Sequence, residues 1–124
     1  MSLILVTGGA GFIGSHLVNS LIEAKHDVIV VDNLTTGSEK NLNKNVSFIK
    51  GDLSTDSTIK KLPKNIDYIY HLAAQASNEA SCDNPILDNN SNAISTLNLL
   101  FYAKKAIFKK FIFTSTMGVY EDHP

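Results

Sequence analysis

Short apolar runs alternate with polar or amphipathic stretches along the chain. The first run, Leu3-Ile4-Leu5-Val6, places four apolar residues in succession with a β-branched bias, which is typical of a strand buried on both faces. Four later runs have similar lengths and also end in short polar or glycine-containing stretches. The pattern predicts five strands, at residues 3–6, 27–31, 46–50, 67–71 and 111–114.

The stretches between these strands predict helices. Behind the first strand, a glycine-rich turn opens a helix whose apolar residues recur at three- and four-residue spacing. Ser54 is a candidate N-cap for a short helix that ends near residue 62, where Pro63 follows. The apolar positions of the first helix are Ile13, Leu17, Leu21 and Ile22.

A longer helix is predicted after a loop rich in small and polar residues. Pro85 is a favoured first-turn residue, and the helix extends from it to about residue 106. Its apolar positions fall largely on one helical face, which is the pattern of an amphipathic helix. They are Ile86, Ile94, Leu97, Leu100 and Phe101.

Alternating strands and helices predict a parallel sheet. Right-handed crossovers then give an α/β doubly wound fold of the Rossmann type, with strand order 3-2-1-4-5 and helices on both faces. The length suffices for one such domain, spanning residues 1–124. Ligands bind these sheets beyond the carboxyl ends of the strands, at the switch point between strands 1 and 4. Residues that follow a predicted strand, and that we therefore expect at this edge, are Gly8, Asp32, Asp52, Ala73 and 114–116.

The turn after the first strand has three glycines at three-residue spacing, Gly8, Gly11 and Gly14. Gly8 suits a tight exit from the strand, Gly11 leaves room for a pyrophosphate beside the main chain, and Gly14 permits close packing of the helix on the sheet. Asp32 follows the second strand about twenty residues later, where a carboxylate can accept hydrogen bonds from an adenosine ribose. The spacing therefore predicts a dinucleotide site, and the alternative is a tight βαβ turn with a solvated Asp32.

Composition and charge narrow the classes of function. The net charge is -1, and the one lysine cluster lies near a helix end, where cations complement the helix dipole, so we expect a solvated face and no nucleic-acid partner. Cys82 is the only cysteine, which excludes an internal disulfide, suits a reducing compartment and indicates an inert thiol. No apolar run approaches the length of a membrane span, and residues 1–2 leave no room for a signal peptide, so we expect a cytoplasmic protein with no membrane partner. The clustered lysines are Lys104, Lys105, Lys109 and Lys110.

Five motifs, in order, carry a resemblance that covers the whole chain. They are residues 7–14 (Thr-Gly-Gly-Ala-Gly-Phe-Ile-Gly), 32–34 (Asp-Asn-Leu), 51–53 (Gly-Asp-Leu), 71–76 (His-Leu-Ala-Ala-Gln-Ala) and 114–120 (Thr-Ser-Thr-Met-Gly-Val-Tyr). In this combination the chain resembles the extended short-chain dehydrogenases, and within them the NAD-dependent nucleotide-sugar epimerases and dehydratases, closest to the UDP-glucose 4-epimerases. The resemblance implies NAD as the cofactor and a nucleotide sugar as the substrate partner.

The resemblance also implies roles for individual residues. It places the glycine turn at the pyrophosphate, the end of the second strand at the adenosine ribose, the end of the third at the adenine and the end of the fourth at the nicotinamide. In that order, the residues are Gly8, Gly11, Phe12, Ile13 and Gly14, then Asp32 and Asn33, then Asp52 and Leu53, then Ala73 and Ala74, with Thr114 at the same edge. The carboxylate of Asp32, with no arginine close behind it, would repel the 2′-phosphate of NADP, so we expect NAD.

Two further residues have both a functional and a structural interpretation. The resemblance implies that Asn92 supports the site and that Thr116 is the catalytic residue that hydrogen-bonds the sugar hydroxyl being oxidised. Asn92 also suits an ordinary polar helix position, and the hydroxyl of Thr116 also suits the satisfaction of backbone groups at a strand end. His16 and His71 are expected to be structural, because no metal-ligand or triad spacing accompanies them.

The residue pair that moves protons in this family has no counterpart in the sequence. The family uses Tyr-x-x-x-Lys, in which the lysine lowers the pKa of the tyrosine, and no tyrosine of this chain has a lysine four residues later. Because Pro124 comes soon after the fifth strand, we expect the amino-terminal part of a longer enzyme, truncated after that strand, with the substrate lobe absent and no activity of its own. The alternatives are a complete dinucleotide-binding module or sensor, and a chain that assembles with another polypeptide.

The fifth-strand motif bears on the reaction of the longer enzyme. The 4,6-dehydratases of the family carry Asp-Glu directly after the threonine of this motif, whereas this chain has Met117 and Gly118, so we expect epimerisation through a 4-keto sugar. Another dehydratase or a decarboxylase of the family is the alternative. Ala76 and Glu121 depart from the epimerase pattern in ways that bear on the identity of the sugar, and the departure at Ser95 bears only on helix packing. In the family the long helix pairs with its twofold mate, which implies a homodimer.

Overall fold

The computed structural model describes residues 1–120, and its strands form one parallel sheet. The strands are β1 (Leu3–Thr7), β2 (Asp27–Asp32), β3 (Ser47–Lys50), β4 (Tyr68–His71) and β5 (Lys110–Phe113). Their order is β3-β2-β1-β4-β5, so the predicted doubly wound fold and its strand order are confirmed. The strand ends differ from the prediction by one residue, which leaves Thr114 just beyond β5. Glu121 and Pro124, on which part of the sequence argument depended, lie outside the described residues.

Helices connect the strands. They are α1 (Phe12–Glu23), α2 (Asp56–Ile59), α3 (Asn78–Asp83), α4 (Pro85–Asn89) and α5 (Ser95–Lys105). A π-helical turn, Asn90–Ile94, joins α4 to α5, and single 3-10 turns span Glu39–Asn41 and Met117–Val119.

The sheet is covered on both faces, as a parallel sheet requires. Successive residues of β1 point to opposite faces: Leu5 packs into one hydrophobic cluster, and Ile4 and Val6 pack into the other. Val18 of α1 belongs to the second cluster, and Leu99 of α5 belongs to the first. β1 is therefore buried between two layers of helices, and the carboxyl ends of β1 and β4 meet at one edge.

α1 packs on the sheet with three of its four predicted apolar residues, Leu17, Leu21 and Ile22, and the exception is Ile13. Gly14 and Val18 are its buried residues, and Leu17 and Leu21 are half-buried beside them. Ile13 was expected on the same face, but it is 65% exposed. The prediction was wrong for Ile13 because one apolar residue in a first turn does not fix the inward face.

The predicted helix from Ser54 to about residue 62 is shorter than expected. α2 begins after Thr55 and ends at Ile59. The backbone N–H of Ser54 donates to Asp52 Oδ1 at 2.8 Å, so Ser54 belongs to a side-chain-closed turn and is not the N-cap. Leu62 is nevertheless buried, because it packs against the sheet from the turn that follows α2.

The predicted long helix is divided, and a helix ahead of it was missed. The side chain of Asn84 accepts a hydrogen bond from Leu87 N–H at 3.0 Å, which confirms a helix start at Pro85. The π-helical turn Asn90–Ile94 interrupts what was expected to be one continuous helix. α3 has no apolar periodicity, and the only sequence signal for it is the N-cap Ser77, whose hydroxyl accepts from the N–H of the third helical residue.

The most apolar face of α5 points away from the core. Ser95, Leu99 and Ala103 are its buried residues. The apolar stripe that the sequence suggested is instead largely exposed, with Leu100 47% and Phe101 61% accessible. α5 therefore carries apolar residues on two faces, and the face with Leu99 and Ala103 is the one that packs into the core. The exposed face of α5 is defined by Leu97, Leu100 and Phe101.

Candidate dinucleotide-binding site

The glycine turn between β1 and α1 needs glycine at two positions. Gly8 has a φ of +71°, and a Cβ there would lie 2.8 Å from the backbone nitrogen of Ala73. A Cβ on Gly14 would lie 2.1 Å from the carbonyl oxygen of Gly8 and 2.7 Å from Cα of Gly9. Gly11 N–H donates to that same carbonyl oxygen at 3.2 Å, which closes the turn. Gly14 was expected to allow close packing on the sheet, and its tightest contacts are with the turn itself.

The first turn of α1 presents backbone donors that no side chain caps. Gly11 is the N-cap, and α1 has no acidic residue in its first turn. The backbone N–H of Ser15 donates to Gly11 O at 3.0 Å, which is the hydrogen bond that closes the first helical turn. The earlier N–H groups and the positive end of the helix dipole make an anion-binding position. Phe12 and Ile13 are 80% and 65% exposed and lie outside the cleft, so any contact of theirs with a pyrophosphate is through the main chain.

Asp32 ties the glycine turn to the loop after β2. Its carboxylate is almost buried, with Oδ2 accepting from Ala10 N–H at 3.0 Å and Oδ1 accepting from Leu34 N–H at 2.8 Å. Each oxygen keeps a lone pair for a hydroxyl donor such as a ribose. Asn33 is exposed, and its Oδ1 accepts from Thr35 N–H at 3.0 Å. The alternative of a solvated Asp32 is therefore wrong, and its part in holding the turn is a role that the sequence did not reveal.

Two adjoining clefts run along the carboxyl edge of the sheet and gather most of the predicted residues. The first is bounded by the glycine turn and the ends of β2, β3 and β4, and the second by β4, the π-helical turn and the segment after β5. Gly14, Phe12 and Ile13 line neither cleft. Predicted residues in the first cleft are Gly8, Gly11, Asp32, Asn33, Asp52 and Leu53; those in the second are Asn92, Thr114 and Thr116; Ala73 and Ala74 line both.

Asp52 and Leu53 form the wall beyond β3. The side chain of Leu53 is 4% exposed and belongs to the hydrophobic core, so its backbone and the Asp52 carboxylate form the polar part of this wall. Asp52 Oδ1 is held by Ser54 N–H, and Leu53 O accepts from Asn98 Nδ2 at 3.0 Å. The wall is therefore fixed by the turn at Ser54 and by Asn98 of α5.

Asn92 holds the loop that follows β4. Its Oδ1 accepts from Gln75 N–H at 2.8 Å, and its Nδ2 donates to Gln75 O at 3.0 Å and to Asp88 Oδ1 at 3.1 Å. Both the oxygen and the nitrogen of the amide are therefore hydrogen-bonded within the protein, so Asn92 is not an ordinary solvent-facing helix residue. The π-helical turn Asn90–Ile94 presents this side chain to the loop.

Thr116 and Thr114 lie at the open end of the second cleft. Thr116 Oγ1 accepts from Gly118 N–H at 3.2 Å as the cap of the 3-10 turn Met117–Val119, so the hydroxyl does satisfy a backbone group. That bond uses a lone pair and leaves the hydroxyl proton available to a ligand. The backbone N–H of Thr114 donates to His71 O at 3.2 Å, which places the segment beside β4. Both side chains are exposed.

The two histidines with predicted structural roles differ in environment. His71 is 2% exposed, its Nδ1 lies 2.7 Å from Thr7 Oγ1, and its Nε2 lies 2.9 Å from Thr96 Oγ1. Burial lowers the pKa of His71 from 6.5 to about 4, so the ring is neutral at pH 7. His16 is exposed and packs edge-on against Phe12, with ring centroids 5.1 Å apart. Both roles agree with the structural interpretation.

Residues 1–120 contain neither a metal-binding cluster nor a membrane-spanning helix. Over that range, no group of three or more His, Cys, Asp or Glu side chains is arranged to hold a metal ion. Among the same residues, no helix is both long and apolar enough to cross a membrane. Cys82 is exposed and unpaired on α3.

Comparison with known proteins identifies the family of the chain. The model of the NAD dependent epimerase/dehydratase family matches residues 4–124. A Methanocaldococcus jannaschii protein, provisionally named a UDP-glucose 4-epimerase, is 41% identical over 123 residues, which are 98% of this chain and 40% of that protein. UDP-glucuronic acid decarboxylase 6 of Arabidopsis thaliana is 45% identical over 125 residues, which are 98% of this chain and 36% of that protein.

The backbone of the chain is also similar to that of a solved structure. The crystal structure of a UDP-glucose 4-epimerase from Thermotoga maritima with UDP-glucose has a TM-score of 0.87 and 46% identity, covering 94% of this chain and 38% of that one. The chain thus spans between 36% and 40% of the length of these three proteins. Because the family match extends over residues 4–124, the chain belongs to the NAD dependent epimerase/dehydratase family, and its cofactor is NAD.

Proposed function

We propose that the chain is the NAD-binding part of a nucleotide-sugar 4-epimerase that acts on a UDP sugar through a 4-keto intermediate. The observation that carries the proposal is the junction between the glycine turn and Asp32, whose carboxylate bridges Ala10 and Leu34 at the switch point of the sheet. This junction places an uncapped helix N-terminus and a fixed carboxylate at one end of the cleft. A dinucleotide offers a pyrophosphate to the first and a ribose to the second.

The chain's own residues account for binding and orientation. The N–H groups of the first turn of α1 hold the pyrophosphate, and Asp32 accepts from the ribose hydroxyls, where a 2′-phosphate would meet a like charge. The loop from Ala73 to Gln75 forms the wall on the nicotinamide side, with Asn92 holding it in place. NAD, when bound, supplies the hydride acceptor and returns the hydride in the same cycle.

Thr116 is the residue of this chain that we assign to the sugar. Its oxygen accepts from Gly118 N–H, so the hydroxyl proton remains available to bond the sugar hydroxyl that is oxidised. Met117 and Gly118 follow it, and neither side chain can carry a proton, which supports epimerisation over dehydration. The Tyr-x-x-x-Lys pair that the chemistry needs is absent from these 124 residues, and we assign it to a longer protein of which this chain is the amino-terminal part.

The proposed activity is tested in that longer protein by following the conversion of UDP-galactose to UDP-glucose. We expect turnover with NAD, a loss of about a hundredfold or more in kcat for Thr116→Val, and retention of most activity in Thr116→Ser, which keeps the hydroxyl. We expect the 124-residue chain by itself to bind NAD without turnover. Turnover by a homogeneous sample of the chain alone would contradict the proposal that the proton-transferring pair lies outside these 124 residues. An unaffected Thr116→Val enzyme would contradict the role of Thr116.

Decarboxylation is the second candidate because the Arabidopsis decarboxylase is 45% identical to the chain. Both reactions begin with oxidation at carbon 4, so the NAD site does not distinguish them. The two candidates differ in product: a decarboxylase releases CO2 from UDP-glucuronic acid, and an epimerase leaves the carbon count unchanged. A non-catalytic NAD-binding module or sensor would give neither product while retaining NAD affinity.

A homodimer formed through the exposed face of α5 is part of the proposal. Leu97, Leu100 and Phe101 are between 47% and 61% exposed, although they are large apolar residues on one helix. Such a face is stabilised by pairing with a copy of itself about a twofold axis. We further propose a cytoplasmic setting without nucleic-acid partners, because the lone Cys82 is exposed and the lysines near the end of α5 suit a solvated face.

A further inference from the structure

We infer that His71 is a positioning residue, held as the Nε2–H tautomer in a one-directional chain of hydrogen bonds that fixes both ends of the loop from Ala73 to Gln75. The side chains of Thr7, His71 and Thr96 make up this relay. The inference builds on the proposed NAD site because that loop is the wall common to both clefts. It assigns a role to a histidine that the proposed mechanism does not use.

The direction of the relay follows from the single proton of Thr96. The Thr96 hydroxyl lies 2.6 Å from the backbone oxygen of Asn92, which can only accept, so the proton is committed there. Thr96 Oγ1 must therefore accept the bond from His71 Nε2 at 2.9 Å. Nε2 carries the proton.

The other half of the relay follows from the neutrality of the ring. His71 is buried, and both of its ring nitrogens face hydroxyl groups, so the ring holds one proton and Nδ1 is an acceptor. Thr7 Oγ1, 2.7 Å away, must donate to Nδ1. Its oxygen then accepts from the backbone N–H of Ala73 at 3.2 Å. The full direction is Ala73 N–H to Thr7, Thr7 to His71, His71 to Thr96, and Thr96 to Asn92 O.

The relay bears on the cleft because its two ends are residues of the wall. Ala73 is one end, and Asn92, the other, binds both the N–H and the carbonyl oxygen of Gln75 through its side chain. The π-helical turn that presents Asn92 is itself closed by hydroxyl bonds, with Ser95 Oγ donating to Asn90 O at 2.9 Å. β1, β4 and the start of α5 are thereby joined at the point where the nicotinamide half of the cofactor is proposed to lie.

The test compares Thr96→Val, which keeps the shape and removes the hydroxyl, with Thr96→Ser, which keeps the hydroxyl. In the folded 124-residue chain at pH 7, long-range ¹H–¹⁵N spectra of the ring assign the protonated nitrogen of His71. We expect the Nε2–H form in the unsubstituted chain and in Thr96→Ser. In Thr96→Val we expect mixed tautomers, shifted amide signals of Ala73 and Gln75, and NAD binding weakened about tenfold.

The outcomes separate this inference from the proposed function. An Nδ1–H tautomer or a rapidly exchanging ring in the unsubstituted chain would overturn the relay without any variant having to fold. Normal NAD affinity and unmoved Ala73 and Gln75 signals in Thr96→Val would overturn the positioning role. If the unsubstituted chain bound no NAD, the proposed site would fail, while the tautomer and the amide signals would still decide the relay.

Discussion

Acid should weaken the fold through one buried imidazole, and the size of the effect can be worked out from its environment. Burial lowers the pKa of His71 from 6.5 in the unfolded chain to about 4 in the folded one. Between these values the unfolded state binds a proton that the folded state does not. The free energy of unfolding therefore falls as pH drops through 6.5 towards 4, and the stabilisation from the neutral ring is fully present only above about pH 6.5.

The magnitude follows from the two pKa values. Relative to pH 7.5, the loss in free energy of unfolding should be about 0.8 kcal/mol at pH 6 and about 2 kcal/mol at pH 5. Small domains have total stabilities on the order of 5–15 kcal/mol, so a loss of this size is readily measured. Asp67, which is paired with Lys109 and whose pKa is lowered mainly by that hydrogen bond, contributes in the same direction at lower pH.

The assay is urea denaturation of the 124-residue chain at pH 7.5, 6 and 5, with His71→Gln as the matched control. Glutamine does not titrate, and it retains a donor for Thr96. The substitution changes the free energy of unfolding by an amount that does not depend on pH, so the difference in pH dependence between the two proteins comes from His71. We expect the variant to lose about 2 kcal/mol less than the unsubstituted chain between pH 7.5 and pH 5. Parallel pH profiles for the two proteins would refute the reasoning, since they would show that His71 takes up its proton equally in both states.

Three further predictions concern the cofactor, the turn and the dimer. By calorimetry, NAD should bind at least tenfold more tightly than NADP because the 2′-phosphate of NADP would meet the like charge of Asp32 beside the glycine turn, and equal affinities would remove that inference. Gly14→Ala should cost about 2 kcal/mol or more in urea denaturation and weaken NAD binding, whereas Gly118→Ala, whose new Cβ would lie 3.6 Å from its nearest neighbour, should do neither. In light scattering, Leu100→Glu should convert a dimer to a monomer while Lys104→Glu should not, and a dimer that survives Leu100→Glu would exclude this face.

The sheet could be predicted because its evidence is spread over the chain. Each strand is a short apolar run followed by a turn, and the alternation with helices leaves few topologies once right-handed crossovers are required. The glycine spacing and Asp32 predicted the cleft because the local backbone geometry requires these residue types at these positions. Gly8 and Gly14 show this directly, since an added Cβ would collide with backbone at both positions.

The faces of the helices could not be predicted in the same way. Ile13 and Phe101 fit the apolar stripes of their helices, but both are largely exposed, whereas Val18 of α1 and Ala103 of α5 are buried. An apolar pattern shows which residues are hydrophobic, but it does not show how much space lies between the helix and the sheet. A face that also serves a partner looks the same as a face that serves the core.

The polar connections of the site were also beyond the sequence. Asn92 and Gln75 are 17 positions apart, and the π-helical turn that brings them together has no composition signal of its own. The two bonds of His71 reach Thr7 and Thr96, at separations of 64 and 25 residues. Such contacts depend on the assembled sheet, so sequence reasoning could mark His71 as structural without showing what it holds.

The central claim is that the glycine turn and Asp32 seat NAD, and the most direct measurement is a ¹H–¹⁵N titration of the 124-residue chain with NAD. The account predicts saturable shifts of the backbone amides from Gly8 to Gly14, with further shifts at Asn33, Asp52 and Ala73, and contacts from the adenine protons to the residues after β3. Saturable shifts confined to other surfaces, or none at the turn while the chain remains folded, would contradict it.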